Sequence, residues 1–137
     1  VVIGEKKPEK KLINDVKIHY LGLLSDIYSL RLAYSCVDLL VVPSRIESFC
    51  QMAAESQACG VPVVSFRIGG LQDIIKDKKT GYLVEPFNTN EMAKKIKKIL
   101  TREVMFNRDY IRSSIRSLVC SKKIACEYIE IYNKVIN

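Results

Sequence analysis

Residues 43–62 read P-S-R-I-E-S-F-C-Q-M-A-A-E-S-Q-A-C-G-V-P. One apolar run, residues 39–42, leads into this stretch, and a second, residues 61–64, leads out of it. Short runs of Val and Leu on either side of an alanine-rich segment read as strand, turn, helix, turn, strand. Ser48 and Gln51 have capping-box spacing for the helix, and Gly60 suits its end. Glu47 precedes the expected helix start and Glu55 lies inside the helix, eight positions on. A loop between a strand end and a helix N-terminus is where α/β proteins hold phosphorylated ligands.

Outward from this unit the same alternation continues. Residues 1–3 read as a short strand ending at Gly4, residues 5–15 as a polar, lysine-rich loop, and residues 16–21 as a second strand closed by Gly22. Ser25 can cap a helix running to Ser35, with Leu30, Leu32 and Ala33 facing inward. After the central unit, Gly69-Gly70 opens a short helical turn over residues 71–75, and Lys79-Thr80-Gly81 turns into a fifth strand over 82–84. Beyond Pro86 the chain is helical. Asn90 is the expected cap, with Met92, Ala93, Ile96, Ile99 and Leu100 on one face. A helix over 104–118 follows, then a last one from Ser121 with Ile124, Tyr128, Ile131, Tyr132 and Val135 at helical spacing. Strands of this composition with helices between them predict an α/β domain. Its mostly parallel sheet has about five strands, helices cover both faces, and C-terminal helices follow.

The length of 137 residues fits one domain, 1–137, with a sizeable core. No apolar run approaches the roughly 20 residues of a membrane-spanning helix. The chain starts at Val1 on an apolar strand pattern and is expected to be a piece of a longer protein. Its five cysteines, Cys36, Cys50, Cys59, Cys120 and Cys126, form no C-x-x-C pair and read as structural thiols of a reducing cytosol. The single histidine, His19, lies in an apolar strand pattern, and Asp73 and Asp77 are isolated, so no metal site is expected. The net charge is +7, and residues 91–137 carry eleven Lys/Arg against five Asp/Glu, so the excess belongs to the C-terminal helices.

With Glu47 at a helix start and Glu55 two turns further on, their axial separation is on the order of 12 Å. That is too far to share one proton or one metal ion. It is about the span from a ribose to the sugar beyond a diphosphate. The amides of Phe49, Cys50 and Gln51 would lie between, where amides and helix dipole suit a diphosphate. A carboxylate offers acceptor sites for a vicinal diol. On spacing alone, two glutamates eight apart on a helix are more often solvated surface charges. The small neighbours Ala53, Ala54 and Ala58 favour close packing, in which a partly buried Glu55 needs a partner. Gly69-Gly70 either lets backbone approach a ligand closely or simply turns the chain. Ser44 either contacts phosphate or closes its turn.

From Asp38 to Pro86 the chain reads D-L-L-V-V-P-S-R-I-E-S-F-C-Q-M-A-A-E-S-Q-A-C-G-V-P-V-V-S-F-R-I-G-G-L-Q-D-I-I-K-D-K-K-T-G-Y-L-V-E-P. This run resembles the C-terminal half of family 4 retaining glycosyltransferases of the GT-B fold, and the resemblance extends from Val1 to the last helix. Two glutamates with seven residues between them, followed by A-C-G-V-P-V-V and a Gly-Gly turn, are specific to that pattern. The resemblance implies a Rossmann-like, three-layer domain that binds a nucleotide-sugar donor. The acceptor, a saccharide or a lipid-linked glycan precursor, would bind a preceding N-terminal domain. It implies that Glu55 holds the ribose and that Glu47, the expected catalytic residue, holds the transferred sugar. The amides of Phe49, Cys50 and Gln51, with Ser44, Gly69 and Gly70, would face phosphates and sugar, and Leu21 and Gly22 would lie near the base. No cofactor is implied, because the nucleotide-sugar is a substrate and the leaving diphosphate can be stabilised by fixed donors without a metal.

The chain departs from the family in having Cys50 where glycine is usual. The N-terminal domain, and the segment whose Arg/Lys residues neutralise the diphosphate, are expected to lie outside residues 1–137, and the 5–15 loop reads as shorter than usual. The expectation is donor binding without transfer by this chain alone. The resemblance further implies a cytoplasmic protein of polysaccharide biosynthesis, with peripheral contact at the cytoplasmic membrane face. Two other readings are a sugar-nucleotide epimerase of the same fold and a non-enzymatic basic module. The second would bind nucleic acid or membrane through Lys94, Lys95, Lys97 and Lys98. No nucleic-acid motif accompanies those lysines, which read as a solvated face, and no nucleic-acid partner is expected.

Overall fold

The computed structural model describes residues 1–4 and 16–136. The 5–15 loop, and its expected shortness, lie outside the described residues. Six helices and three named strands occur among them: α1(Ile27–Ser35), β1(Leu40–Val42), α2(Gln51–Ala58), β2(Val63–Phe66), α3(Leu71–Ile74), β3(Gly81–Val84), α4(Thr89–Leu100), α5(Arg108–Val119) and α6(Ser121–Ile136). The chain divides into two compact units, Val1–Ala33 and Tyr34–Asn137.

In the second unit the strands run in the order β1-β2-β3, all parallel, with Leu40 opposite Val63 and Val63 opposite Gly81. Successive side chains point to opposite faces of a strand, and both faces here are covered. Val42, Val63 and Leu83 pack with Ala53 and Ala54 of α2, Leu71 and Ile74 of α3, and Ile115 of α5. Val64, Phe66, Tyr82 and Val84 pack with Met92 and Ile99 of α4. This is the expected three-layer α/β arrangement. It explains why β2 and β3 are apolar at nearly every position rather than at alternate ones. Each fully buried Val, Leu or Ile contributes about 1.5–3 kcal/mol.

The sheet has three strands, not about five. Residues 1–4 and 16–22 belong to the first unit and meet through one parallel bridge, Val2 to Tyr20. The Val2 amide donates to the His19 carbonyl at 2.8 Å, and the Leu21 amide to the Val2 carbonyl at 2.9 Å. Val1 and Val16 are exposed, so the apolar pattern there is not buried on two faces as in β2 and β3.

Helix ends also differ from the sequence reading. Asp26, not Ser25, caps α1, its carboxylate accepting from the Ser29 amide at 2.8 Å. Leu32, expected to face inward, is exposed, while Ala33 and Tyr34 are buried. Asn88, not Asn90, caps α4, accepting from the Glu91 amide at 3.0 Å. On that helix Met92 and Ile99 are buried, but Ala93 and Leu100 are exposed. Lys95 lies over the Tyr82 ring at 4.9 Å and Lys98 pairs with Glu103 at 2.8 Å. α5 starts at Arg108 rather than at 104, because Asn107 accepts from the amides of Asp109 and Tyr110 at 3.0 and 2.9 Å. No residue of α6 is buried.

One core position breaks the apolar rule. Gln57 of α2 is fully buried, and neither its Oε1 nor its Nε2 has a hydrogen-bond partner among the described residues. An unpaired buried amide costs roughly 1–3 kcal/mol. Methionine has nearly the same length and no polar group to satisfy. Gln57→Met is therefore expected to stabilise the chain by about 1–2 kcal/mol, read as a higher urea midpoint at unchanged slope. A lower midpoint would mean that the amide is satisfied in solution.

Candidate functional site

β1 and β2 end side by side in the parallel sheet, so the loops that follow them leave from the same edge. The first loop carries Ser44, Glu47, Phe49 and Cys50 into α2, and the second carries Gly69 and Gly70 into α3. The two loops touch. The Gly70 amide donates to the Ser48 carbonyl at 3.1 Å. A Cβ built on Gly69 would overlap the Glu47 carbonyl oxygen, and one on Gly70 would overlap the Ser48 carbonyl oxygen. Gly69 also has φ +44, a region that costs residues with a side chain. The glycine pair allows a close backbone approach within the chain itself. The partner is the chain's own glutamate loop, whose position the glycine pair fixes.

α2 begins at Gln51, not after Ser48. Its N-cap is Cys50, which has φ 71 and ψ 75 and gives no side-chain cap. Cys50 thus stands where glycine would be free of strain. Burial pushes its thiol above the ordinary cysteine range, and the nearby Glu47 carboxylate pushes the same way, against a lowering by the Ala53 amide. The thiol is therefore neutral, and none of the five cysteines is in a disulfide. The amides of Phe49, Cys50 and Gln51 make no hydrogen bond among the described residues. Gln51 opens the helix and Cys50 caps it, so their amides belong to the donors a helix N-terminus leaves unpaired, while the Phe49 amide precedes the cap.

Glu47 is half-buried and four residues ahead of the helix, so the 12 Å estimate, which placed it at the helix start, does not apply. Glu55 stands four residues beyond Gln51, on the order of 6 Å along the axis. It lies on the exposed side of α2, while Ala53, Ala54, Ser56 and Gln57 face the core. The partner that the alanine-rich surroundings called for is Tyr34, whose hydroxyl donates to Glu55 Oε2 at 3.0 Å. The sequence reading missed Tyr34, and no local signal points to it, since the two residues are 21 positions apart. α2 closes as expected at Gly60, at φ 77. The amides of Gly60 and Val61 return to the carbonyls of Gln57 and Ser56 at 2.8 and 3.0 Å.

Ser44, near the start of the β1–α2 loop, is half-buried. Leu21 and Gly22 belong to the first unit, where the Gly22 carbonyl accepts from the Gly4 amide at 2.8 Å. Among the described residues no group of three or more His, Cys, Asp or Glu side chains could hold a metal ion. No described helix is long and apolar enough to cross a membrane.

Two loops that touch at one edge of the parallel sheet thus carry Glu47, the start of α2 and Glu55 in sequence. Residues 1–116 match the family model described as glycosyl transferases group 1, and the chain belongs to that family. N-acetyl-alpha-D-glucosaminyl L-malate synthase of Bacillus anthracis is 33% identical over 129 residues, 93% of this chain and 33% of that enzyme. D-inositol 3-phosphate glycosyltransferase of Mycobacteroides abscessus is 43% identical over 70 residues, 51% of this chain and 16% of that enzyme. The solved sucrose-phosphate synthase of Thermosynechococcus elongatus superposes with a TM-score of 0.71 at 30% identity. That alignment covers 86% of this chain and 30% of that one. The fold is that of GT-B glycosyltransferases. The chain spans about a third or less of the length of these relatives.

Proposed function

We propose that residues 1–137 are the donor-binding, C-terminal half of a retaining glycosyltransferase of family 4. The sugar of a nucleotide-sugar would pass to a saccharide or lipid-linked acceptor held by a preceding domain, at the cytoplasmic face of a membrane. The observation that carries this reading is the sequence of groups along one loop and helix: Glu47, then the free amides of Phe49, Cys50 and Gln51, then Glu55. In this order they match transferred sugar, diphosphate and ribose. Negative charge builds on the diphosphate as the sugar–phosphate bond breaks. Amides fixed at a helix N-terminus stabilise that charge without having to reorganise. This route needs no metal ion.

The test is titration with UDP, GDP and ADP and with their sugars, by calorimetry. One base series is expected to bind, with the nucleotide-sugar favoured over the diphosphate. Glu47→Ala is expected to leave diphosphate affinity within about twofold and to remove the preference for the sugar, which is worth roughly tenfold for a charged hydrogen bond. Equal losses for both ligands would assign Glu47 to phosphate or to the loop. A chain that binds no nucleotide would overturn the reading as a whole.

A further inference from the structure

Glu55 lies on an exposed helix surface, where a glutamate ordinarily samples many rotamers. Ordering such a side chain costs up to about 1.5–2 kcal/mol. Glu55 does not face that cost alone. Tyr34 is buried at 5% exposure, one residue before the end of α1, and its hydroxyl donates to Glu55 Oε2 at 3.0 Å. A phenol ring packed on its sides has two side-chain torsions to lose, and both are already fixed. The carboxylate is therefore tied to a rigid post.

The chemistry of the bond also sets what Glu55 can still do. An ionised carboxylate accepts at about four lone-pair positions. The phenol takes one of them on Oε2. All of Oε1 and one position on Oε2 are left for further donors, enough for two adjacent hydroxyls. The direction of the bond is fixed too. Burial, and then the hydrogen bond and negative charge of Glu55, push the phenol above its ordinary range, so the proton stays on tyrosine. Glu55 remains the acceptor.

We infer that Tyr34 is a positioning residue: by donating to Glu55 Oε2 it locks that carboxylate in the orientation that accepts the vicinal diol of a ribose. This rests on the ribose role proposed for Glu55 above. A purely structural phenol, one that only satisfies itself in the core, makes the same contact but a different prediction. Its loss would weaken every ligand alike, through stability or helix placement. A positioning phenol matters only to ligands that carry the diol.

The experiment compares the nucleoside diphosphate that binds best with its 2′,3′-dideoxy counterpart. Four proteins are titrated by calorimetry: wild type, Tyr34→Phe, Glu55→Ala and the double variant. Tyr34→Phe keeps the ring and removes only the hydroxyl. It is expected to cost about threefold to tenfold in affinity for the ribonucleotide, the range of one hydrogen bond, and less than twofold for the dideoxy compound. In the Glu55→Ala background it should cost the ribonucleotide nothing further, because the two residues act as one unit. Equal losses on both ligands, no loss on either, or a full additional loss in the double variant would each overturn the inference. If Glu55→Ala itself leaves the ratio of ribonucleotide to dideoxy affinity unchanged, the ribose role fails, and that arm shows it separately. Should Tyr34→Phe unfold too easily for calorimetry, the same quantity is read from melting. Saturating ribonucleotide should raise the variant's Tm by less than it raises that of wild type, with the dideoxy shift equal in both.

Discussion

Glu55→Ala is expected to weaken binding of a nucleoside diphosphate by about 1.5–3 kcal/mol, roughly tenfold to a hundredfold. The size follows from the bond type. A carboxylate accepting from ribose hydroxyls makes hydrogen bonds to a charged group, and losing it leaves the diol to water on a surface shaped for something else. The same substitution should barely change binding of a dideoxy nucleotide, which has no diol to lose. Stability should move little in comparison. Glu55 is exposed, α2 keeps its buried Ala53 and Ala54, and alanine is the better helix former. The one structural cost is the Tyr34 hydroxyl, which loses its acceptor at a part-buried position. Calorimetric titration of the two nucleotides against both proteins decides it. A mutant that binds the ribonucleotide as tightly as wild type, or loses both nucleotides equally, places the ribose elsewhere.

The central unit was legible in the sequence because its signals are local. Two apolar runs, a small-residue helix and Gly60 at its end together define β1, α2 and β2 to within two residues. Gly60 was readable because only a positive φ closes the helix in this way. The first two expected strands differ from the others in pairing and burial, which are tertiary. Residues 1–3 are as apolar as β1, whereas residues 16–21 interleave Lys17 and His19 with apolar residues, a pattern that suits a strand covered on one face only. The α4 cap was within reach: Asn88 and Glu91 have capping-box spacing, yet Asn90 is also a cap former. The α2 cap was not, because Ser48 and Gln51 satisfy the local rule while Cys50 takes the left-handed conformation. At the site, both glutamates and the glycine pair stood out as residues. What they touch did not. Glu55 finds its partner on another helix, and the glycine pair meets the glutamate loop.

That last contact leads to the second large effect, at Gly69. Three glycines separate the two costs a glycine can avoid. Gly22 has φ +70 with open space around a would-be Cβ, so Gly22→Ala carries conformational strain alone, about 1 kcal/mol. Gly70 has φ −67 and ψ −7, comfortable for alanine, but its Cβ would overlap the Ser48 carbonyl oxygen and come within 2.9 Å of Phe49 Cα. Gly70→Ala carries collision alone. Gly69→Ala carries both, at φ +44 and against the Glu47 carbonyl oxygen. The obstacles at Gly69 and Gly70 are backbone, not the far end of a flexible side chain. Relief therefore means moving the 47–49 segment, and with it Glu47 and the amides of Phe49 and Cys50. Gly69→Ala is expected to cost about 2–4 kcal/mol of stability, more than Gly70→Ala, with Gly22→Ala least. In the fraction that stays folded, the preference for nucleotide-sugar over diphosphate should be lost as it is in Glu47→Ala, because the displaced loop carries Glu47 away from its post. Urea denaturation ranks the three variants, and the paired titration reads the site. If Gly69→Ala is no less stable than Gly22→Ala and keeps the sugar preference, the glycine pair is a turn and nothing more, and another element holds the glutamate loop in place.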